Sequence, residues 1–251
     1  MSRGNREAVS GNIKLSMRDN YAEHGVDQYY QKVGATYRNP HFPGVRACMF
    51  LWLNNWWQAE HERLLLDRIS IFDMACGHGE VTIAFMEWWK LGKVAGTSQP
   101  RDNSVTSAPR KKSTVPDPPR LEAYLPTPQI LAADPFTAEA FKARTSLNCS
   151  TFSFQEIADG SLAALLNAGT EPSQDNQQAE QKVLFALLWE LSLRSRWLVV
   201  LAPHKKPEIK MGWGWVKWDA KVWTECPMAQ SDGEFLQDRV HCRVYRSVNL
   251  P

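Results

Sequence analysis

Residues 72–80 read Phe72-Asp73-Met74-Ala75-Cys76-Gly77-His78-Gly79-Glu80. They join a short apolar run, Ile69 to Ala75, to an amphipathic stretch, Val81 to Leu91, through two glycines one residue apart. A short apolar run bounded by glycines predicts a strand buried on both faces of a parallel sheet, and the stretch after it predicts the crossover helix. Ligands of open parallel sheets sit at the carboxyl ends of the strands, where glycine lets a ligand approach the backbone closely. A carboxylate, Asp73, stands at that strand end, so the local physics asks for a nucleotide-like ligand.

Outward from this turn the alternation continues. Gln129 to Ala133 is a second short apolar run ending in Asp134-Pro135, followed by a helix over Ala138 to Arg144 and a third strand around Ser150 to Phe154. Strand and helix in alternation predict an α/β fold with a doubly wound, mainly parallel sheet. Further on, Gln181 to Leu193 predicts an amphipathic helix and Trp197 to Ala202 a buried strand. Arg239 to Val248, with Val240, Cys242 and Val244 alternating against Arg239, Arg243 and Arg246, predicts an antiparallel edge strand with one wet face. Before the turn, Val26 to Tyr37 and Val45 to Asp67 predict helices separated by the Asn39-Pro40 and Phe42-Pro43 steps. The domain plan is an N-terminal helical cap over 1–67 and a nucleotide-binding domain over 68–251. The latter carries a polar insertion at about 96–119 and a polar linker at about 170–179, both too poor in large apolar residues to pack.

Composition narrows the function classes. The chain has 251 residues, 43% of them hydrophobic, enough for one substantial core. Lys and Arg total 29 against 27 for Asp and Glu, so no global charge favours nucleic acid as an obligate partner. Arg110-Lys111-Lys112 within the insertion is most simply a solvated run. The five cysteines contain no Cys-x-x-Cys pair, and His24, His41, His61 and His241 lack metal-ligand spacing, so no metal is expected and the thiols read as reduced. The start of the chain has no secretory apolar region, and Ala47 to Leu53 falls far short of the ~20 residues that span a bilayer, so a soluble, cytoplasmic location is expected with the nucleus open. Eleven tryptophans are read first as core and helix packing.

The Asp73 to Glu80 segment resembles motif I of class I S-adenosylmethionine-dependent methyltransferases, an acidic residue, a hydrophobic residue, then Gly, Cys, Gly, a variable residue and Gly. Ala75 replaces the first glycine and His78 fills the variable slot. The resemblance implies S-adenosyl-L-methionine as cofactor, with Asp73, Ala75, Cys76, Gly77 and Gly79 around its methionine and ribose portions. It also implies Asp134, with Pro135, at the ribose hydroxyls. Asp134 read alone is better explained as a turn-former or helix cap, and only its pairing with the motif favours the ribose. After the third strand, Gln155 or Glu156 would meet the adenine with Ile157 beside the ring; an ordinary polar loop closed by Asp159-Gly160 fits these residues as well.

The resemblance also implies a fourth strand between the third strand's helix and the helix at Gln181. Ser161 to Gly169 reads as helical and Thr170 to Ala179 as polar, so no apolar run supplies it. The fold class expected is therefore α/β, Rossmann-like and doubly wound, with an N-terminal helical cap, a C-terminal antiparallel strand and the fourth strand missing. Tyr37 to Pro43, Leu201 to Lys210 and Gly212 to Trp215 resemble stretches of fungal methyltransferase-domain proteins. Tyr29, Tyr30, Tyr37 and His204 are the substrate-side candidates. The expected activity is direct methyl transfer to a small-molecule acceptor. A non-catalytic methyltransferase-like binding or regulatory protein and an RNA or protein methyltransferase are the alternatives, and the missing strand leaves activity open.

Overall fold

A computed structural model describes residues 39–64, 68–97, 115–151, 176–203 and 207–250. These form four helices and seven strands: α1 (Phe42–Leu64), β1 (Ser70–Met74), α2 (Glu80–Thr97), β2 (Gln129–Ala133), α3 (Ala138–Thr145), α4 (Asn176–Ser192), β3 (Trp197–Ala202), β4 (Trp215–Asp219), β5 (Thr224–Glu225), β6 (Phe235–Gln237) and β7 (Val240–Ser247). The strands expected at 129–133 and 197–202 are present, because short apolar runs between turn residues satisfy their backbone groups most readily in a sheet. The helix following the glycine turn runs six residues further than expected, to Thr97. Asn176 to Ala179, expected in a polar linker, form the first turn of α4. The expected helix at 26–37, the third strand beyond Thr151 and the region where the fourth strand is expected lie outside the described residues, as do 98–114 of the insertion.

The expectation of one doubly wound, mainly parallel sheet is overturned. β1 and β2 pair in parallel, Ser70 opposite Gln129 through Met74 opposite Ala133, and Ser150 adds a parallel bridge to Ala133. The other five strands make a separate antiparallel sheet in the order β3-β7-β4-β5, with β6 also on β7. β3 pairs antiparallel along its whole length with β7, Trp197 opposite Arg246 through Ala202 opposite His241. An apolar run specifies a strand but not the direction of its partner. β7 is accordingly central, not an edge: β3, β4 and β6 all bond to it, and six of its eight residues are buried.

α1 lies in the core rather than along one stripe. Val45, Cys48, Met49, Phe50, Trp52, Leu53, Trp56 and Trp57 are all buried, joined by Phe85 and Trp88 of α2 and by Phe235, Val240, Cys242 and Val244 of the antiparallel sheet. The asparagines that interrupt its apolar run are used as ties: Trp88 Nε1 donates to Asn54 Oδ1 at 2.7 Å, and Asn55 Nδ2 donates to the Ala220 carbonyl at 2.7 Å. Arg46 clasps Glu87 of α2 with two 2.7 Å hydrogen bonds, the planar fork matching the carboxylate. Val115 packs on the same core, so the end of the polar insertion is part of the fold.

The first turn of α1 rests on the β6–β7 hairpin. Its two-residue turn holds Asp238 at φ 44° and Arg239 at φ 71°, the left-handed pair that matches strand twist. A Cβ on Gly44 would collide with the Gln237 carbonyl oxygen and come within 2.8 Å of Val240 Cγ2. Gly44→Ala should therefore cost about 1–3 kcal/mol and lower the melting temperature by several degrees; unchanged thermal unfolding would show that this approach is not as close as described.

Candidate functional site

The carboxyl ends of β1 and β2 converge on one turn. The Ala75 and Cys76 N–H groups both donate to the Ala133 carbonyl, at 2.9 and 3.3 Å, carrying the parallel pairing past the end of β1. Ala75 has φ 56°, Gly77 φ 54° and Gly79 φ 84°. The chain thus needs left-handed backbone at three of five successive positions, which explains the glycines. Ala75 occupies a conformation that glycine adopts more easily, so its departure from the motif carries strain. A Cβ at Gly79 would press into Phe141 at 3.2 Å, so this glycine admits α3 close to the turn.

Asp73 near the end of β1 and Asp134 just beyond β2 are close enough for their charges to interact, and both are buried. The Gly77 N–H donates to Asp134 Oδ2 at 3.1 Å, while the Phe136 and Thr137 N–H groups donate to Oδ1 at 2.9 and 3.0 Å. Thr137 returns the link by donating its hydroxyl to the Gly77 carbonyl at 2.7 Å. Asp134 thus satisfies the turn-former reading of the sequence. An ionised carboxylate has about four acceptor positions, so one remains for a ligand hydroxyl. Pro135, beside it, is half-buried.

Thr82 donates both its N–H, at 3.2 Å, and its hydroxyl, at 2.6 Å, to Asp73 Oδ2. Burial pushes the Asp73 carboxyl up to about 6; the Thr82 hydrogen bonds oppose the shift, and the neighbouring Glu80 and Asp134 charges add to it. Glu80 opens α2, accepts from the His78 N–H at 3.2 Å and pairs with Arg144 of α3 at 2.7 Å. Among the described residues, Asp73, Glu80 and Asp134 are buried around this turn and Arg144 pairs with Glu80. Arg144 also lies over the Phe42 ring, 5.2 Å away. Behind the turn, Cys76, Ala132 and Phe141 form a small apolar cluster with Leu147 and Cys149.

Thr82, Thr137 and Arg144 were not among the residues marked from the sequence. Thr137 carried a signal, since a hydroxyl three residues after a strand-end Asp fits a capped helix start. Arg144 carried none, its partner being 64 residues away. Gln155, Glu156, Ile157, Tyr29, Tyr30, Tyr37 and His204 lie outside the described residues. Two open clefts of about 460 and 480 Å³ lie elsewhere, at the end of α1 beside Arg196 and between β4 and β5 near Cys226. Among the described residues no group of three or more His, Cys, Asp or Glu is placed to hold a metal, and no helix is long and apolar enough to cross a membrane.

Across 256 aligned positions the chain is 38% identical to the uncharacterized protein C17A5.05c of Schizosaccharomyces pombe, and the match covers 95% of each. The chain belongs to that protein's family. No protein-family model and no solved structure matches this member.

Two stability measurements probe that turn. Ala75→Gly should be neutral or stabilising by up to about 1 kcal/mol, relief of the left-handed strain offsetting the added freedom of the unfolded chain; a clear loss in urea titration would rule out the positive φ. The folded protein holds the Asp73 proton to about pH 6, whereas the unfolded chain releases it near pH 4. This group's contribution is accordingly fully present below about pH 4 and is lost as pH rises through 6, on the order of 1–3 kcal/mol in all. The stability difference between wild type and Asp73→Asn should drift by that amount in this window, and parallel profiles would contradict the shift.

Proposed function

We propose that this protein binds S-adenosyl-L-methionine where β1 and β2 end and transfers its methyl group to a small-molecule acceptor. The observation that carries the proposal is the Gly77 N–H to Asp134 hydrogen bond, which joins a glycine turn of the methyltransferase type to the acidic end of the neighbouring parallel strand. Gly77 leaves the backbone open to close approach by the methionine and ribose portions, while Gly79 makes room for α3. The surplus of carboxyls suits a ligand carrying a sulfonium and an ammonium. Asp73 would attract the amino end, and the remaining acceptor position of Asp134 would suit one ribose hydroxyl. Gln155, Glu156 and Ile157 keep the adenine assignment, and Tyr29, Tyr30, Tyr37 and His204 the substrate side.

The transfer itself is a displacement at the methyl carbon: the acceptor's lone pair forms the new bond, the carbon–sulfur bond breaks, and the sulfonium leaves as a neutral thioether. Its rate depends on alignment and exclusion of water, so a protein that fixes the donor needs no covalent intermediate. A second reading, a methyltransferase-like binding protein without turnover, is favoured by the engagement of Asp134. Three backbone N–H groups of the chain already occupy that carboxylate, leaving too little acceptor capacity to hold both ribose hydroxyls.

Calorimetry with S-adenosylmethionine and S-adenosylhomocysteine decides whether the ligand binds. We expect saturable binding by the wild type and at least a tenfold loss in Gly77→Ala, whose added Cβ would stand 3.3 Å from Glu80 Oε2 on a φ of 54°. No heat from a folded wild-type protein would remove both readings. Binding without S-adenosylhomocysteine production over a panel of small acceptors would leave the second.

A further inference from the structure

The chain contains two close thiol pairs with opposite access. Cys48 of α1 donates its thiol to the Val240 carbonyl at 3.5 Å and shares a core cluster with Cys242 of β7, and both are sealed there at 0% exposure. Cys76 and Cys149 meet beside the glycine turn with their sulfurs 3.4 Å apart; Cys76 is buried, and Cys149 is partly open to solvent. All of these are free thiols.

The backbone holds the second pair in place from both sides of β2. The Cys76 N–H is bonded to the Ala133 carbonyl, and next to Cys149 the Ser150 N–H is bonded to the Ala132 carbonyl at 2.9 Å while the Ser150 carbonyl accepts from the Asp134 N–H at 3.0 Å. The two sulfurs share an apolar cluster with Ala132, whose short side chain leaves them room. Little conformational freedom remains to be lost on joining them, which makes closure favourable relative to a mixed disulfide with a free thiol.

We propose that Cys76 and Cys149 form a reversible disulfide, a redox modification site at the root of the glycine turn. The Cys149 thiolate attacks a small-molecule disulfide, expelling one thiolate. The Cys76 thiolate then attacks Cys149 Sγ in the mixed disulfide and expels the second. Two protein thiols are oxidised, one disulfide is reduced to two thiols, and the two cysteine protons end on the released thiols. Closing the remaining ~1.4 Å to a bond of ~2.0 Å draws residue 76, next to Gly77, towards residue 149. The order of attack follows from access, since only Cys149 is reachable from solvent. Burial pushes both thiols above the usual range, so the exchange quickens as pH rises. The Cys76–Cys149 contact does not depend on which ligand the turn holds.

The test is to equilibrate the full chain with oxidised and reduced glutathione at pH 8.5 and map its cysteines by mass spectrometry. Apart from glutathione taken up by Cys226, two of the five thiols should disappear together, with a linked Cys76–Cys149 peptide, and dithiothreitol should restore them. Cys76→Ser should instead trap glutathione on Cys149, and Cys149→Ser, at a partly exposed position, should leave Cys76 reduced. Half-exposed Cys226 reports that the reagent reaches single thiols. The proposal is overturned if Cys226 is glutathionylated while Cys76 and Cys149 stay reduced, or if wild type carries only mixed disulfides, or if Cys149 links to another cysteine.

Discussion

The carboxylate of Asp134 is the tie on which the arrangement of the turn depends. It accepts N–H groups from the turn after β1 and from the turn after β2 at once, so two loops that meet through only one strand pairing are held in a single geometry. Backbone N–H groups in tight turns have no ladder to join, and burial would leave them costly without such an acceptor. Thr137 closes the link in the opposite direction. Arg144 and Glu80 add a third connection, from α3 to the start of α2. The left-handed strain at Ala75 is borne because these ties determine the turn from several sides.

Much of the remaining architecture is organised by α1 and β7. α1 is too apolar around its circumference to lie on a surface, and it is enclosed by α2 on one side and by the antiparallel sheet on another. β7 offers both its edges and both its faces to the protein, which is why Arg243 is buried there, its guanidinium donating to the Pro207 carbonyl at 2.8 Å. Beside it Lys217 of β4 and Glu234, both nearly inaccessible, pair at 2.6 Å, each answering a charge that burial alone would penalise. Trp215 spans to α4, its indole N–H donating to the Leu188 carbonyl at 2.8 Å and joining helix to sheet. The tryptophans thus serve mainly as core, the role their size favours.

The candidate site combines a rigid frame with an unusual charge balance. Asp73, Glu80 and Asp134 are buried within a few residues of one another in space, yet Asp73 and Asp134 are stabilised by hydrogen bonds from hydroxyl and N–H groups rather than by cations. Such dipoles favour the carboxylate and oppose the burial that favours the proton on Asp73. That feature, together with backbone made approachable by glycine, is what gives the site its chemical character.

Element type was legible in local sequence: Gln129 to Ala133 and Trp197 to Ala202 are strands with the bounds their apolar runs set. The proximity of Asp73, Gly77 and Asp134 was legible only through the family resemblance, since Asp134 by itself reads as a turn-former, a use it also has here. Pairing was not. Nothing within Trp197 to Ala202 distinguishes a parallel neighbour from β7, some 40 residues on, and a residue pattern that looks wet-faced in β7 is buried once α1 packs on one side of the sheet and the cluster around Leu188 of α4 takes in Tyr245. Nor could sequence bring together Arg144 with Glu80 or Cys76 with Cys149. Hydrophobic period and turn chemistry act over a few residues and so decide elements, whereas sheet partners, buried ion pairs and thiol contacts depend on distant segments burying one another, which only the folded chain decides.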